Sequence, residues 1–268
     1  MNNLITTVKQ SVTENSDLPF SVYSSVQVQN LLNVPIVKPL LIAVLDGNKE
    51  LGKHSEIVCQ AGDFIFLSDN PAINMRNIPK DREYFALLIE FDFEDFEHLQ
   101  QPPSIDQNYC VGKITQELEM CLSQFVEWAR FSPSHLWSLR KQEIIQLLYH
   151  MGHKDISSIA APRKVGQKVY SILVKQPAFD TPMEDLCDRL AMSESTLRRK
   201  LKSEGTSIQE IKDHIKLGLG LHLLQTTGKS IAFISEQCGY QSQSRFTGRF
   251  KDRFGLTPSE LRKTKLTE

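Results

Sequence analysis

The sequence predicts an α+β chain: an amino-terminal antiparallel β-barrel or sandwich with a helix pair, then an all-α domain of two helix-turn-helix units joined by a linker helix. Three observations predict it. Residues 21–92 carry their apolar side chains in short β-rich runs broken by turn residues. Beyond residue 165 only the helical repeat is present, and the same pattern of cap, turn and cap occurs twice. Charge divides the chain as well: residues 1–162 hold 12 Lys/Arg and 20 Asp/Glu, a net of −8, and residues 163–268 hold 19 and 12, a net of +7. A basic domain beside an acidic one suits polyanion binding, although a solvated surface alone produces the same imbalance.

With 268 residues and 40% hydrophobic content the chain can bury two cores. Its amino terminus, MNNLITTVKQSVTENSDLPF, interleaves polar with apolar residues, and no run of about 18 apolar residues occurs, so neither a signal peptide nor a membrane span is expected. Cys59, Cys110, Cys121, Cys187 and Cys238 are odd in number and form no C-x-x-C pair. That argues against a disulfide framework or a zinc site and for a reducing cytoplasm, with each cysteine a small core residue.

In the first part the strands are expected within SVYSSVQVQNLL, VKPLLIAVLDG, EIVCQAGDFIFLSDNP and EYFALLIEFD. Ala61-Gly62-Asp63 reads as a tight turn feeding Phe64–Leu67, with a stop at Ser68-Asp69-Asn70-Pro71. After Pro102-Pro103, Ile114, Leu118, Cys121, Leu122, Phe125 and Trp128 recur at helical spacing within 111–130, and a second helix over 136–151 ends near Gly152. The pair either packs back on the sheet or presents a dimer surface. Residues 153–164 read as the linker between domains at 1–152 and 165–268.

In the second part Val165, Val169, Ile172 and Leu173 form one stripe that closes before Pro177. Thr181-Pro182-Met183-Glu184 reads as a capped start with Thr181 at the cap and Glu184 completing the box, leading through Leu186 and Leu190. Ser193 caps the next helix, in which Leu197 and Leu201 point inward and Gly205 ends the run. The grammar repeats: Ser230 to Ile234 opens a helix ending near Gly239, and Ser242 to Phe246 opens another through Phe250 to Phe254. Between the units, residues 207–226 place Ile208, Ile211, Ile215 and Leu219 on one side and Leu217, Leu221 and Leu224 on the other. Such a helix packs one unit on each side. Its length of ~30 Å is close to the ~34 Å turn of B-DNA, which would let two recognition helices enter successive major grooves.

Ile231-Ala232, Gly239-Tyr240, Ser244, Phe246, Phe250-Lys251, Phe254-Gly255, Thr257-Pro258 and Arg262 resemble, in order and spacing, the carboxy-terminal signature of the AraC/XylS family of bacterial regulators. The resemblance covers residues from about 165 to 265, by that spacing; the amino-terminal part is similar to the family's cupin-type domain in outline, which implies a cupin-like β-barrel. The signature residues themselves are apolar or turn-forming and belong to the fold. For DNA contact the resemblance implies Ser195, Arg198 and Arg199 in the first recognition helix, with Lys200 and Lys202 at phosphates, and Gln243, Ser244, Arg245 and the position of Gly248 in the second, with Arg249 beside it as a further candidate. Arginine on guanine discriminates by ~1–3 kcal/mol, whereas lysine on phosphate adds affinity alone. Two departures stand out: Gly248 where the family usually has arginine, and Gly220 where it prefers alanine, with Gly218 nearby. Each interior glycine costs ~1 kcal/mol against alanine, so the linker helix is expected to bend or fray.

For the first domain the resemblance implies a small-molecule effector and a homodimer, and for the whole chain double-stranded DNA and RNA polymerase as partners, with activation as the outcome. Some members hold a fatty acid through lysines; Lys38, Arg76 and Arg82 are the candidate cations, each with a solvated surface charge as its plain alternative. Residues 21–92 contain one histidine, His54, read as a surface loop residue, so neither metal nor cofactor is expected. No G-x-S-x-G, Walker or G-x-G-x-x-G motif and no convergent His/Glu set occurs, and the chain is not read as an enzyme. The competing reading is a partner-controlled regulator or anti-activator whose first domain binds protein.

Overall fold

The computed structural model describes the chain apart from residues 15–16, 68–69, 100–108, 160–163, 177–180 and 266–268. It divides into two compact units, Met1–Ala161 with Lys263–Glu268, and Pro162–Arg262.

The strands of the first unit are β1 (Ser21–Ser25), β2 (Gln29–Ile36), β3 (Leu40–Asp46), β4 (Asn48–Leu51), β5 (Ile57–Gln60), β6 (Asp63–Leu67), β7 (Asn70–Ile78), β8 (Tyr84–Glu90) and β9 (Tyr109–Lys113). They form two antiparallel sheets, one ordered β1-β8-β3-β6-β9 and the other β2-β7-β4-β5. Neither sheet closes on the other, so the cupin-like barrel expected from the resemblance is corrected to an open pair of sheets. The reason lies in β3, where every residue from Leu40 to Leu45 is buried. A strand apolar on both faces belongs to a middle layer, not to a barrel wall with a wet outer side. Leu41, Ala43 and Leu45, with Phe64, Phe66, Phe85, Leu87 and Ile89, pack under helices; Leu40, Ile42 and Val44 fill the other side.

The covering helices are α1 (Asn2–Glu14), α2 (Gln116–Ala129) and α3 (Trp137–His150). Helix α1, unanticipated from the sequence, buries Leu4, Val8 and Ser11 at i, i+4 and i+7. Thr115 caps α2 by accepting from the Leu118 amide at 3.4 Å, and the preceding residues 109–113 form β9, so the first helix of the pair begins later than its apolar spacing suggested. Leu118, Cys121, Leu122, Phe125, Ile144, Ile145 and Leu148 place both helices against the five-stranded sheet. One turn of helix, α4 (Ile156–Ile159), lies in the stretch read as linker, and Asn70-Pro71, read as a stop, begins β7; Ser68-Asp69 and Pro177 lie outside the described residues. All five cysteines are free, four of them buried and Cys187 half-buried.

The second unit contains α5 (Val165–Leu173), α6 (Met183–Leu190), α7 (Glu194–Ser203), α8 (Ile208–Thr226), α9 (Ile231–Gln237), α10 (Gln243–Phe254) and α11 (Pro258–Lys263). Serines cap four of them: Ser193, Ser207, Ser230 and Ser242 each accept an amide hydrogen from the third residue beyond. Thr257 and Glu260 close a reciprocal box at the start of α11. At α6 the cap is Pro182, one residue later than the Thr181 cap expected. Glu204, just past α7, accepts from the amides of Val165 and Gly166, both at 2.8 Å, and so holds the start of α5.

Helix α8 serves two cores. Ile211 and Ile215 join Val165, Val169, Leu173, Leu186, Leu197 and Leu201, while Leu217, Leu221 and Leu224 are buried on the side of α9. In α10 Phe246, Phe250 and Phe254 are fully buried, with ring centroids 5.5 and 4.5 Å apart. The Phe246 ring lies against Gly220, where an added Cβ would come within 2.8 Å of it. Helix α8 therefore runs unbroken through both glycines, and Gly220 is explained by close packing instead of bending. At Gly248, exposed on α10, an added Cβ would meet nothing within 4 Å. In guanidinium unfolding, Gly220→Ala should destabilise the second unit by about 1–3 kcal/mol through overpacking, and Gly248→Ala should stabilise it by up to ~1 kcal/mol.

Candidate nucleic-acid interface

In the first helix-turn-helix, α6 ends on Ala191 with φ at +50°, a left-handed residue that turns the chain sharply into the Ser193 cap. Leu197 and Leu201 then anchor α7 inward. At 100° per residue Ser195, Arg199 and Lys202 point directly away from that core, with Arg198 and Lys200 on the two flanks; all five are exposed. Arg198 Nε donates to Glu194 Oε1 at 2.7 Å, one turn earlier. Ser195 Oγ lies 3.1 Å from the Ser193 hydroxyl. The structure thus brings the residues read from the sequence for this helix onto one continuous basic surface.

The second unit is different. Gly239, with φ at +71°, makes the turn between α9 and α10. Opposite the buried phenylalanines, α10 presents Ser244, Arg245, Gly248 and Asp252, all exposed. Gln243 is exposed in the first turn. Arg249 is turned to the flank, where its Nη2 donates to Asp213 Oδ2 of α8 at 2.6 Å. It ties the helix to the linker helix. Asp252, which the sequence reading passed over, puts a negative charge on the same exposed face; its place one turn beyond Gly248 was the available signal.

The cations considered for an effector do not converge. Lys38 Nζ is paired with Asp92 Oδ1 at 2.8 Å; burial pulls its pKa down, but Asp92 and its acidic neighbours carry it above the usual lysine value. Arg76 donates to Asn30 Oδ1 at 2.9 Å and Glu50 Oε2 at 2.8 Å on the outer face of the four-stranded sheet. Arg82 lies in the exposed turn before β8.

The family model described as a helix-turn-helix domain matches residues 186–264, the span of both units. The HTH-type transcriptional regulator YdeO of Escherichia coli K12 is 37% identical over 99 residues, 37% of this chain and 39% of that protein. Over its carboxy-terminal domain the chain is similar to helix-turn-helix transcription regulators. A second relative, the urease operon transcriptional activator of Escherichia coli, is 25% identical over 170 residues, 62% of this chain and 54% of that protein. The chain thus spans between about two fifths and a half of the length of these curated relatives. In fold it is similar to ToxT of Vibrio cholerae, at 18% identity and a TM-score of 0.67 over 94% of this chain and all of that one. The proteins matched are transcription regulators, not enzymes.

At the α8–α10 contact, burial and then the Arg253 charge push the pKa of His214 down to about 4, against the pull of Glu210 and Asp213. The unfolded chain, with an ordinary imidazole near 6.5, takes up the proton first on acidification. Stability from this group is complete above pH 6.5 and is lost as the pH falls toward 4. Thermal unfolding between pH 7 and 4.5 should show this loss, and His214→Gln should flatten it.

Proposed function

We propose that this chain is a sequence-specific DNA-binding transcription regulator that reads two successive major grooves and acts as an activator by recruiting RNA polymerase. The observation that carries the reading is the exposed face of Ser195, Arg198, Arg199 and Lys202 on a helix anchored by Leu197 and Leu201, itself fixed to a linker helix buried on two sides. Arg198 and Arg199 are assigned to base edges, Ser195 to a supporting contact, and Lys200 and Lys202 to phosphates. Helix α10 contributes Gln243, Ser244 and Arg245. With Gly248 and Asp252 on its face and Arg249 engaged by Asp213, it reads fewer bases and positions more.

The first unit is assigned the sensing role. ToxT has been solved with an unsaturated fatty acid bound, and a small-molecule effector for this chain is proposed on the likeness of fold. A homodimer is proposed through the helix pair, where Met120, Phe131 and Leu139 are 56%, 76% and 60% exposed.

Selection of genomic DNA fragments by the purified full chain at a fixed ~150 mM salt tests the reading, since specific and nonspecific binding separate only at controlled ionic strength. A motif with two half-elements about a helical turn apart is expected, and Arg198→Ala/Arg199→Ala should relax the element read by α7. Recovery of no motif by the wild-type chain would overturn it.

A further inference from the structure

Arg198, Arg199 and Arg249, all on the two recognition helices, differ in how their guanidinium groups are held. Arg198 on α7 engages Glu194 through Nε, at 2.7 Å from Oε1. Arg249 on α10 engages Asp213 of α8 through Nη2, at 2.6 Å from Oδ2. Arg199, next to Arg198, has no hydrogen-bond or ion-pair partner among the described residues.

The atom engaged decides what the side chain can still do. Guanine presents O6 and N7 side by side in the major groove, and arginine meets them with two parallel N–H donors of its rigid fork. In Arg249 one arm of the terminal fork, Nη2, already points at a carboxylate. In Arg198 only Nε is taken, so the edge formed by Nη1 and Nη2, beyond the guanidinium carbon, remains for an outside acceptor. Glu194 also stands on the right side for this. At about 100° per residue it lies about 40° from Arg198 around the helix, toward the buried Leu197 and Leu201. The carboxylate therefore holds the guanidinium from behind.

Both side chains are exposed, Arg198 at 62% and Glu194 at 53%. An ion pair this wet contributes little to folding, and a carboxylate beside a DNA-reading face works against general attraction to phosphates. What the pair supplies is order. A free arginine loses rotamer freedom when it binds, and one already held in place loses less.

We infer that Glu194 is a positioning residue that presents Arg198 to a guanine, which makes Arg198 the base-selective arginine of α7 and leaves Arg199 to contact DNA with less discrimination. This rests on the DNA-reading function proposed above, and it names the base and the residue that sharpens its choice.

The full chain would be bound, at ~150 mM salt, to duplexes carrying each of the four bases in turn at every position of the α7 half-element, with affinity for an unrelated duplex measured alongside. The wild-type chain should prefer guanine at one position by about tenfold or more, and Arg198→Ala should abolish that preference. Glu194→Ala should cut the preference about three- to tenfold, while its affinity for the unrelated duplex should rise, because a negative charge has been removed. Glu194→Gln, whose amide oxygen can still accept from Nε, should keep more of the preference than Glu194→Ala. A fall in both affinities with base choice unchanged is the mark of a carboxylate that only stabilises the first turn of α7, and it overturns the assignment. So does a guanine preference that is lost in Arg199→Ala and kept in Arg198→Ala; in either case the DNA-reading function stands. A wild-type chain with no base preference anywhere in the half-element overturns both.

Discussion

Phe246 rests its ring on Gly220 while Ile211 and Ile215, on the other side of the same helix, lie among Val169, Leu197 and Leu201. The carboxy-terminal unit depends on this double burial. A helix of 19 residues, about 28 Å long, cannot shift toward one unit without opening the core it shares with the other. The recognition helices α7 and α10 are therefore coupled through side-chain packing, and the Arg249–Asp213 pair adds a polar tie on the α10 side. Their separation is a property of α8.

The two recognition helices are not equivalent in chemistry. Helix α7 places two arginines and two lysines on or beside its outer face, whereas the middle of α10 has glycine and aspartate. Direct readout needs long, forked donors, and a bare Gly248 offers only backbone approach. Nothing closes off that approach, since an added Cβ at 248 would meet open space. The proposed function accordingly assigns one helix to discriminate and the other to dock and set register.

Much of the second unit was legible because its signals are local. Ser193, Ser207, Ser230 and Ser242 cap helices by reaching three residues along the chain, and the apolar stripes of α8 follow from its own periodicity. The β region was legible as strands but not as an architecture, because closure depends on which edges pair across the sheet. The run LLIAVL in β3 nevertheless carried the signature of a strand covered on both faces. Helix α1 was passed over because its apolar stripe is narrow. The pairing of Arg249, read as a DNA contact, with Asp213, 36 residues away in sequence, could not be read from local spacing.

The central claim, that α8 fixes the spacing of two groove-reading helices, is tested most directly by operator spacing. The affinity of the wild-type chain would be measured on its selected operator and on versions with about 5 or about 10 base pairs inserted between the half-elements. The account predicts a severe loss with both insertions, because the shorter one turns the second groove to the far side of the duplex and the longer one carries it beyond the reach of a rigid helix. Affinity that survives either insertion would contradict it.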